Sequence, residues 1–220
     1  QKYFIGLAYE ARGDVFVDKE TEGVLDTASI KGADGGYYAG IGPVFRIDSR
    51  DNIFYPSKGI LFETSLLSFP TLWSDYSFTN WTFSFAKYLA MPDNKNIFAY
   101  NIRGSFIFGD DLPFYRMSRI AGSERLRGID HYNRYINNHA VYVQAEYRRK
   151  LFWRLGGVVF VGVGQVSDQI THWTAEAIRP TYGFGGRFRI FKDEDFNIRI
   201  DLGFGPGGQT GLYFNVREAF

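Results

Sequence analysis

The sequence predicts an all-β fold, an antiparallel transmembrane β-barrel of about ten strands. Three observations predict it. Ten segments alternate with a period of two, the signature of a strand with one apolar and one polar face. Nearly all their charges fall opposite the aromatic face. The connections between them are short and long by turns. No apolar run approaches the roughly 18 residues that a spanning helix requires, so strands are the elements that would cross a bilayer.

The segments run as follows. Lys2–Arg12 places Tyr3, Ile5, Leu7, Tyr9 and Ala11 on one face and Lys2, Gly6, Ala8, Glu10 and Arg12 on the other. Gly36–Asp51 sets Ala39, Ile41, Pro43, Phe45 and Ile47 against Arg46, Asp48 and Arg50. Gly59–Phe69 sets Ile60, Phe62, Thr64 and Leu66 against Glu63 and Ser65. In Phe78–Met91 the parity conflicts, because Lys87 favours one assignment and Thr82, Ser84 and Ala86 the other. Ile97–Phe108 opposes Phe98, Tyr100, Ile102, Phe106 and Phe108 to Asn101, Arg103 and Ser105. His139–Arg149 opposes Val141, Val143, Ala145 and Tyr147 to Gln144, Glu146 and Arg148. Gly157–Ser167 carries Val159, Val161 and Val163 outward. Ile178–Phe191 sets Tyr182, Phe184, Phe188 and Ile190 against Arg179, Arg187 and Arg189. Phe196–Phe204 sets Ile198, Ile200 and Leu202 against Asn197, Arg199 and Asp201. The last segment, Gly211–Phe220, puts Leu212, Phe214, Val216 and Phe220 opposite Tyr213, Asn215 and Arg217.

Periodicity alone does not say whether the apolar faces point in or out, since a soluble sandwich alternates too. The charges favour apolar-out. Arg or Lys facing lipid at the midplane costs about 2–4 kcal/mol, and the polar faces combine Gly with Arg, Asp and Glu as a narrow, hydrogen-bonded lumen would. The linkers 51–58, 92–96, 151–156 and 192–195 are short; 14–35, 70–77, 109–138 and 168–177 are mostly longer. That alternation matches short periplasmic turns and long outer loops, with 205–208 a tight outer turn. Ten strands close a small barrel, and a hairpin within 14–35 would raise the count to twelve.

Composition sets further limits. The chain of 220 residues reads as one domain spanning 1–220, with 19% aromatics and 22 Phe among them. A net charge of +1 gives no reason to expect a nucleic-acid partner. With no cysteine there is neither a disulfide scaffold nor a thiolate metal site. No cofactor or metal ligand set is visible. No signal peptide is visible either, so Gln1 follows a cleaved one or begins a piece of a longer chain.

The segment 109–138 is an outlier, since a loop of about thirty residues is normally functional or disordered. It interleaves Arg116, Arg119, Arg125, Arg127 and Arg134 with Phe114, Tyr115, Tyr132 and Tyr135, around the tetrad Leu126-Arg127-Gly128-Ile129. Five predicted strands follow it. Asp48-Ser-Arg-Asp51 with Pro56 and Gly59, then Glu146-Tyr-Arg148, Tyr182-Gly-Phe-Gly-Gly-Arg187 and a terminal Phe220 complete an ordered set over residues 36–220. In that order the motifs resemble the bacterial surface antigen family, the superfamily of outer-membrane assembly and two-partner secretion barrels of the BamA, TamA and FhaC kind.

The resemblance implies a loop folded back into the lumen, with Arg127 meeting carboxylates on the following strands. Glu146 is the expected first partner. Where the family usually has a second acid this chain has Gly162, so the contact rests on Glu146 alone or draws on Asp201 from farther round. Family barrels usually have sixteen strands preceded by POTRA domains, so this chain resembles a short member without them or a C-terminal fragment. The implied function is insertion or translocation of proteins, or lipid, at the bacterial outer membrane. Partners would be outer-membrane lipid and lipopolysaccharide together with client or partner barrels. Gly211–Phe220 would form one side of a weak seam, facing Lys2–Arg12, with Phe220 as a C-terminal assembly signal. An alternative is a non-catalytic anchor or subunit of a larger outer-membrane complex. A rim protease is a third reading, resting on Asp110-Asp111 and Asp130-His131, because a positioned carboxylate–imidazole pair activates water. No catalytic residue is otherwise expected.

Overall fold

The computed structural model describes residues 2–19, 22–27, 30–93, 95–191 and 196–220. The strands are β1 (Lys2–Asp14), β2 (Gly36–Asp48), β3 (Gly59–Phe69), β4 (Phe78–Ala90), β5 (Asn96–Phe108), β6 (Ser118–Arg119), β7 (Ile136–Asn137), β8 (His139–Lys150), β9 (Leu155–Ser167), β10 (Arg179–Arg189), β11 (Asn197–Phe204) and β12 (Thr210–Asn215). Ten of them form one antiparallel meander in the order β1-β2-β3-β4-β5-β8-β9-β10-β11-β12, and β6 pairs only with β7 inside the long loop. The sheet ends at β1 and β12, which are not paired with each other.

Apolar residues face outward as the charges required. Ile5, Leu7 and Tyr9 of β1, Val159 and Val161 of β9 and Leu212 and Phe214 of β12 are all exposed, whereas Asn101, Glu146, Arg148, Arg199 and Asp201 are buried on the opposite faces. In a soluble domain these two sets would be exchanged. The conflict in β4 resolves for the small polar residues. Asn80, Ala86 and Tyr88 are buried, so Lys87 lies on the outer face, three residues from the strand end, where a long ammonium stem reaches the interface.

Two expectations are corrected. Among the described residues, 15–35 holds no hairpin, only the single turn α1 (Val24–Thr27); the additional short pairing is β6–β7 in the long loop. The C-terminal strand stops at Asn215, not Phe220. Phe220 is 7% exposed and packs inside with Ala86, Tyr88, Ala99 and Ala219. The reason lies in the parity. Glu218 shares the register of Leu212 and Phe214, so a continued strand would present its carboxylate to lipid. Instead the Asn215 side chain accepts from the Val216 amide at 2.8 Å and the chain turns into the lumen. There Glu218 is buried against Arg187. A smaller correction concerns β2, which ends at Asp48, leaving residues 49–51 in the turn. The predicted turn 192–195 lies outside the described residues.

Three small apolar clusters take the place of a single core. Tyr38, Phe69, Phe78, Ile107 and Leu112 close the outer end. Ile120, Ala121, Leu126 and Ile129 of the long loop pack on Ala140 and Tyr142 of β8. The Phe220 cluster closes the periplasmic end.

Candidate functional site

The loop 109–138 lies within the curl of the sheet. A tight reversal shapes its tip: the Leu126 amide donates to the Ile120 carbonyl at 2.9 Å, and the Arg125 amide to the Gly122 carbonyl at 3.1 Å. Leu126 and Ile129 flank the arginine as apolar anchors and are fully or almost fully buried. Leu126 fills the space left by two glycines of β9. A Cβ on Gly162 would stand 2.7 Å from its Cδ2. Gly128, at φ +110, passes against β11 so closely that a Cβ would lie 2.6 Å from the Phe204 backbone. Tyr213 of β12 clamps this point, its hydroxyl accepting from the Gly128 amide at 2.9 Å and donating to the Ile129 carbonyl at 3.1 Å.

Arg127, wholly buried, donates through Nη2 to Glu146 Oε1 and through Nη1 to Asp201 Oδ2 at 2.7 Å. Its guanidinium carbon sits 3.7 Å from the centroid of the Phe160 ring. The two carboxylates are shared further. Glu146 accepts from Arg148 Nε at 2.7 Å. Asp201 accepts from Arg187 at 2.5 Å and from Arg199 at 3.2 Å. Arg187 Nε also holds both oxygens of Glu218, each at 2.9 Å. Four guanidiniums thus face three carboxylates in a water-poor interior. Further oxygens accept from the remaining donors: Arg199 donates to the Ser123 carbonyl at 3.1 Å and Arg148 to the main-chain oxygen of Phe220 at 3.3 Å. These contacts offset part of the cost of burying the network, although Arg127 Nε, Arg187 Nη2 and Arg199 Nε are buried without a hydrogen-bond partner.

The structure therefore brings Leu126, Arg127, Gly128, Ile129, Glu146 and Asp201 together, and it places Gly211, Leu212 and Phe214 on a terminal strand beside them. Val216 and Phe220 leave that strand. Sequence reasoning missed Arg187, Arg199, Glu218, Tyr213 and Phe160 as parts of this site. All but Glu218 carry the inward parity of their strands, a signal that was available but does not say which inward groups meet.

The paired acids of the outer loop are otherwise engaged. Arg134 donates to both oxygens of Asp130 at 2.9 Å, and Lys31 pairs with Asp111 at 3.1 Å. Slight desolvation raises the Asp130 pKa, but Arg134 and the His131 amide outweigh it and hold the carboxyl below its usual range. That is an ion-paired anion, not a base poised near neutrality. Among the described residues no group of three or more His, Cys, Asp or Glu is placed to hold a metal.

Residues 39–206, most of the sheet and the whole inward loop, match the Omp85 superfamily domain. The chain belongs to the Omp85 superfamily. Its place is the bacterial outer membrane. The Omp85 chain also resembles the crystal structure of BamA from Haemophilus ducreyi lacking POTRA domains 1–3, with a TM-score of 0.68 at 14% identity. That likeness covers 98% of this chain and 51% of the other, so this chain spans about half the length of the BamA chain it matches. No curated protein sequence matches it.

The Gly162 departure has a physical counterpart in this Omp85 barrel: Asp201 supplies the second carboxylate and Leu126 occupies the space over Gly162. Gly162→Asp is accordingly expected to destabilise by about 1–3 kcal/mol through overpacking. A Leu126→Ala partner change should recover part of the loss, as read by urea unfolding in detergent.

Proposed function

We propose that this barrel assists the insertion or translocation of proteins at the outer membrane, and that docking of the loop by Arg127 keeps it competent to do so. The observation that carries the reading is an arginine-anchored lumenal loop whose motif glycine is held by the last strand, β12. Tyr213, which holds Gly128, belongs to β12 itself, so loop docking and the position of the last strand are mechanically coupled. An edge strand with free amides and carbonyls is a template on which an incoming strand can pair. Client barrels and the lipid around them are the corresponding partners.

The test is reconstitution. Protein in liposomes should accelerate folding of an unfolded client barrel over empty liposomes, and Arg127→Ala should reduce that acceleration at least about tenfold, equivalent to about 1.4 kcal/mol. An unaccelerated rate with the native protein would refute the reading. Equal rates for native and variant would refute the part played by Arg127.

A further inference from the structure

The half of the lumen facing β1–β5 is not filled. A cavity of about 890 Å³ lies there, between the wall of the sheet and the long loop. Five arginines line it (Arg12, Arg103, Arg116, Arg119 and Arg125) against two glutamates, Glu10 and Glu63, an excess of three positive charges. Arg12 is paired with Asp14 at 2.6 Å and Arg116 with Glu10 at 3.2 Å. Glu63 lies 3.7 Å from Arg46, outside the lining. Among the described residues, Arg103, Arg119 and Arg125 have no carboxylate partner.

Those three are nevertheless held in place. Arg103 donates to Ser84 Oγ at 3.0 Å and to the Glu124 carbonyl at 3.4 Å. Arg119 donates to Asn133 Oδ1 at 2.9 Å and to the Tyr115 carbonyl at 3.2 Å. Arg125 donates to the Tyr132 hydroxyl at 3.3 Å. The Tyr132 ring gathers two of them, with the guanidinium carbons of Arg119 and Arg125 at 4.4 and 5.9 Å from its centroid. Tyr142 lines the same wall. Three half-buried cations gathered around one cavity, two of them on the Tyr132 ring, are an arrangement that repels itself until an anion enters. Ser65, Ser84 and Ser105 add hydroxyls to the same wall.

We propose that this cavity is a binding site for phosphate-bearing ligands, with Arg103, Arg119 and Arg125 as its donors. Guanidinium forks match the paired oxygens of a phosphate, and partial burial strengthens each charge-assisted bond. Preorganisation by tyrosine and main-chain contacts lowers the ordering cost of binding. The volume exceeds what a bare phosphate needs and admits a phosphorylated saccharide. Free phosphate and the phosphorylated sugar headgroup of a glycolipid share this chemistry. The site does not depend on the client-handling reading and is tested apart from it.

Calorimetric titration of the detergent-solubilised protein at low salt decides, with two probes: inorganic phosphate and a bisphosphorylated glucosamine disaccharide. Saturable binding is expected for one or both. Tighter binding of the disaccharide assigns the site to a lipid headgroup, and equal binding assigns it to free phosphate. Arg119→Gln with Arg125→Gln should weaken binding at least about tenfold. Glu63→Gln, a change at a half-exposed side chain, should strengthen it by removing a repelling charge. Heat-dependent gel migration reports that each variant is folded. Absence of saturable binding for both probes, or unchanged affinity in the folded double variant, overturns the proposal. Should the double variant not fold, an unchanged or weakened affinity in Glu63→Gln does the same.

Discussion

Asp201→Ala is expected to destabilise the barrel by about 3–5 kcal/mol, more than Arg127→Ala at the other end of the same ion pair. The difference follows from counting charges. With Arg127 removed, three guanidiniums and three carboxylates remain, Glu146 keeps Arg148, and Asp201 keeps Arg187 and Arg199. What is lost is the docking of the loop and the stacking on Phe160. With Asp201 removed, Arg127, Arg187 and Arg199 lose the one carboxylate they share, and four buried guanidiniums are left with two side-chain carboxylates. An uncompensated buried charge is among the most costly single defects a folded chain can carry. Urea unfolding in detergent micelles measures both variants. A larger loss for Arg127→Ala would show that loop docking, not charge balance, dominates the network. Arg127→Lys should restore little, since an ammonium cannot bridge two carboxylates with a planar fork.

Much of this arrangement was legible in the sequence, because one constraint acts on every strand. A residue facing lipid cannot be charged at low cost, so parity alone assigned an inward face to Glu146, Arg187, Arg199 and Asp201. Parity says nothing of depth or of neighbours around the sheet. Asp201 reaches Arg127 across the lumen from three strands beyond Glu146, a distance that no local pattern encodes. The C-terminus shows the other limit. Read as one strand, Gly211–Phe220 satisfied the apolar pattern at four positions and violated it at Glu218. The violation marked where the strand ends, since a buried partner such as Arg187 holds that carboxylate better than lipid does. The conflict in β4 had the reverse outcome: Lys87 stays outward because it lies near the strand end, where its ammonium can reach water.

The glycine of the loop motif is expected to be as intolerant as the acid. Gly128→Val should undock the loop and cost at least about 3 kcal/mol, from two independent causes. At φ +110 a β-branched residue is strained by about 1–3 kcal/mol before it touches anything. Its Cβ would then stand 2.6 Å from the Phe204 backbone, which cannot yield without parting β11 from β12. A Cβ on Gly203 of β11 would likewise stand 2.6 Å from the Gly128 amide nitrogen, so both glycines are needed where loop and wall meet. Loss of this contact frees the Tyr213 hydroxyl and should leave the six-residue β12 held only by its ladder to β11. Hydrogen exchange should therefore rise first in the β12 amides, before the β2–β5 ladders are affected. Proteolysis should cut within 120–130 in the variant while sparing the native loop. If β12 exchanged as slowly in Gly128→Val as in the native chain, the loop and the terminal strand would be independent, and Tyr213 would be a passive neighbour of the motif.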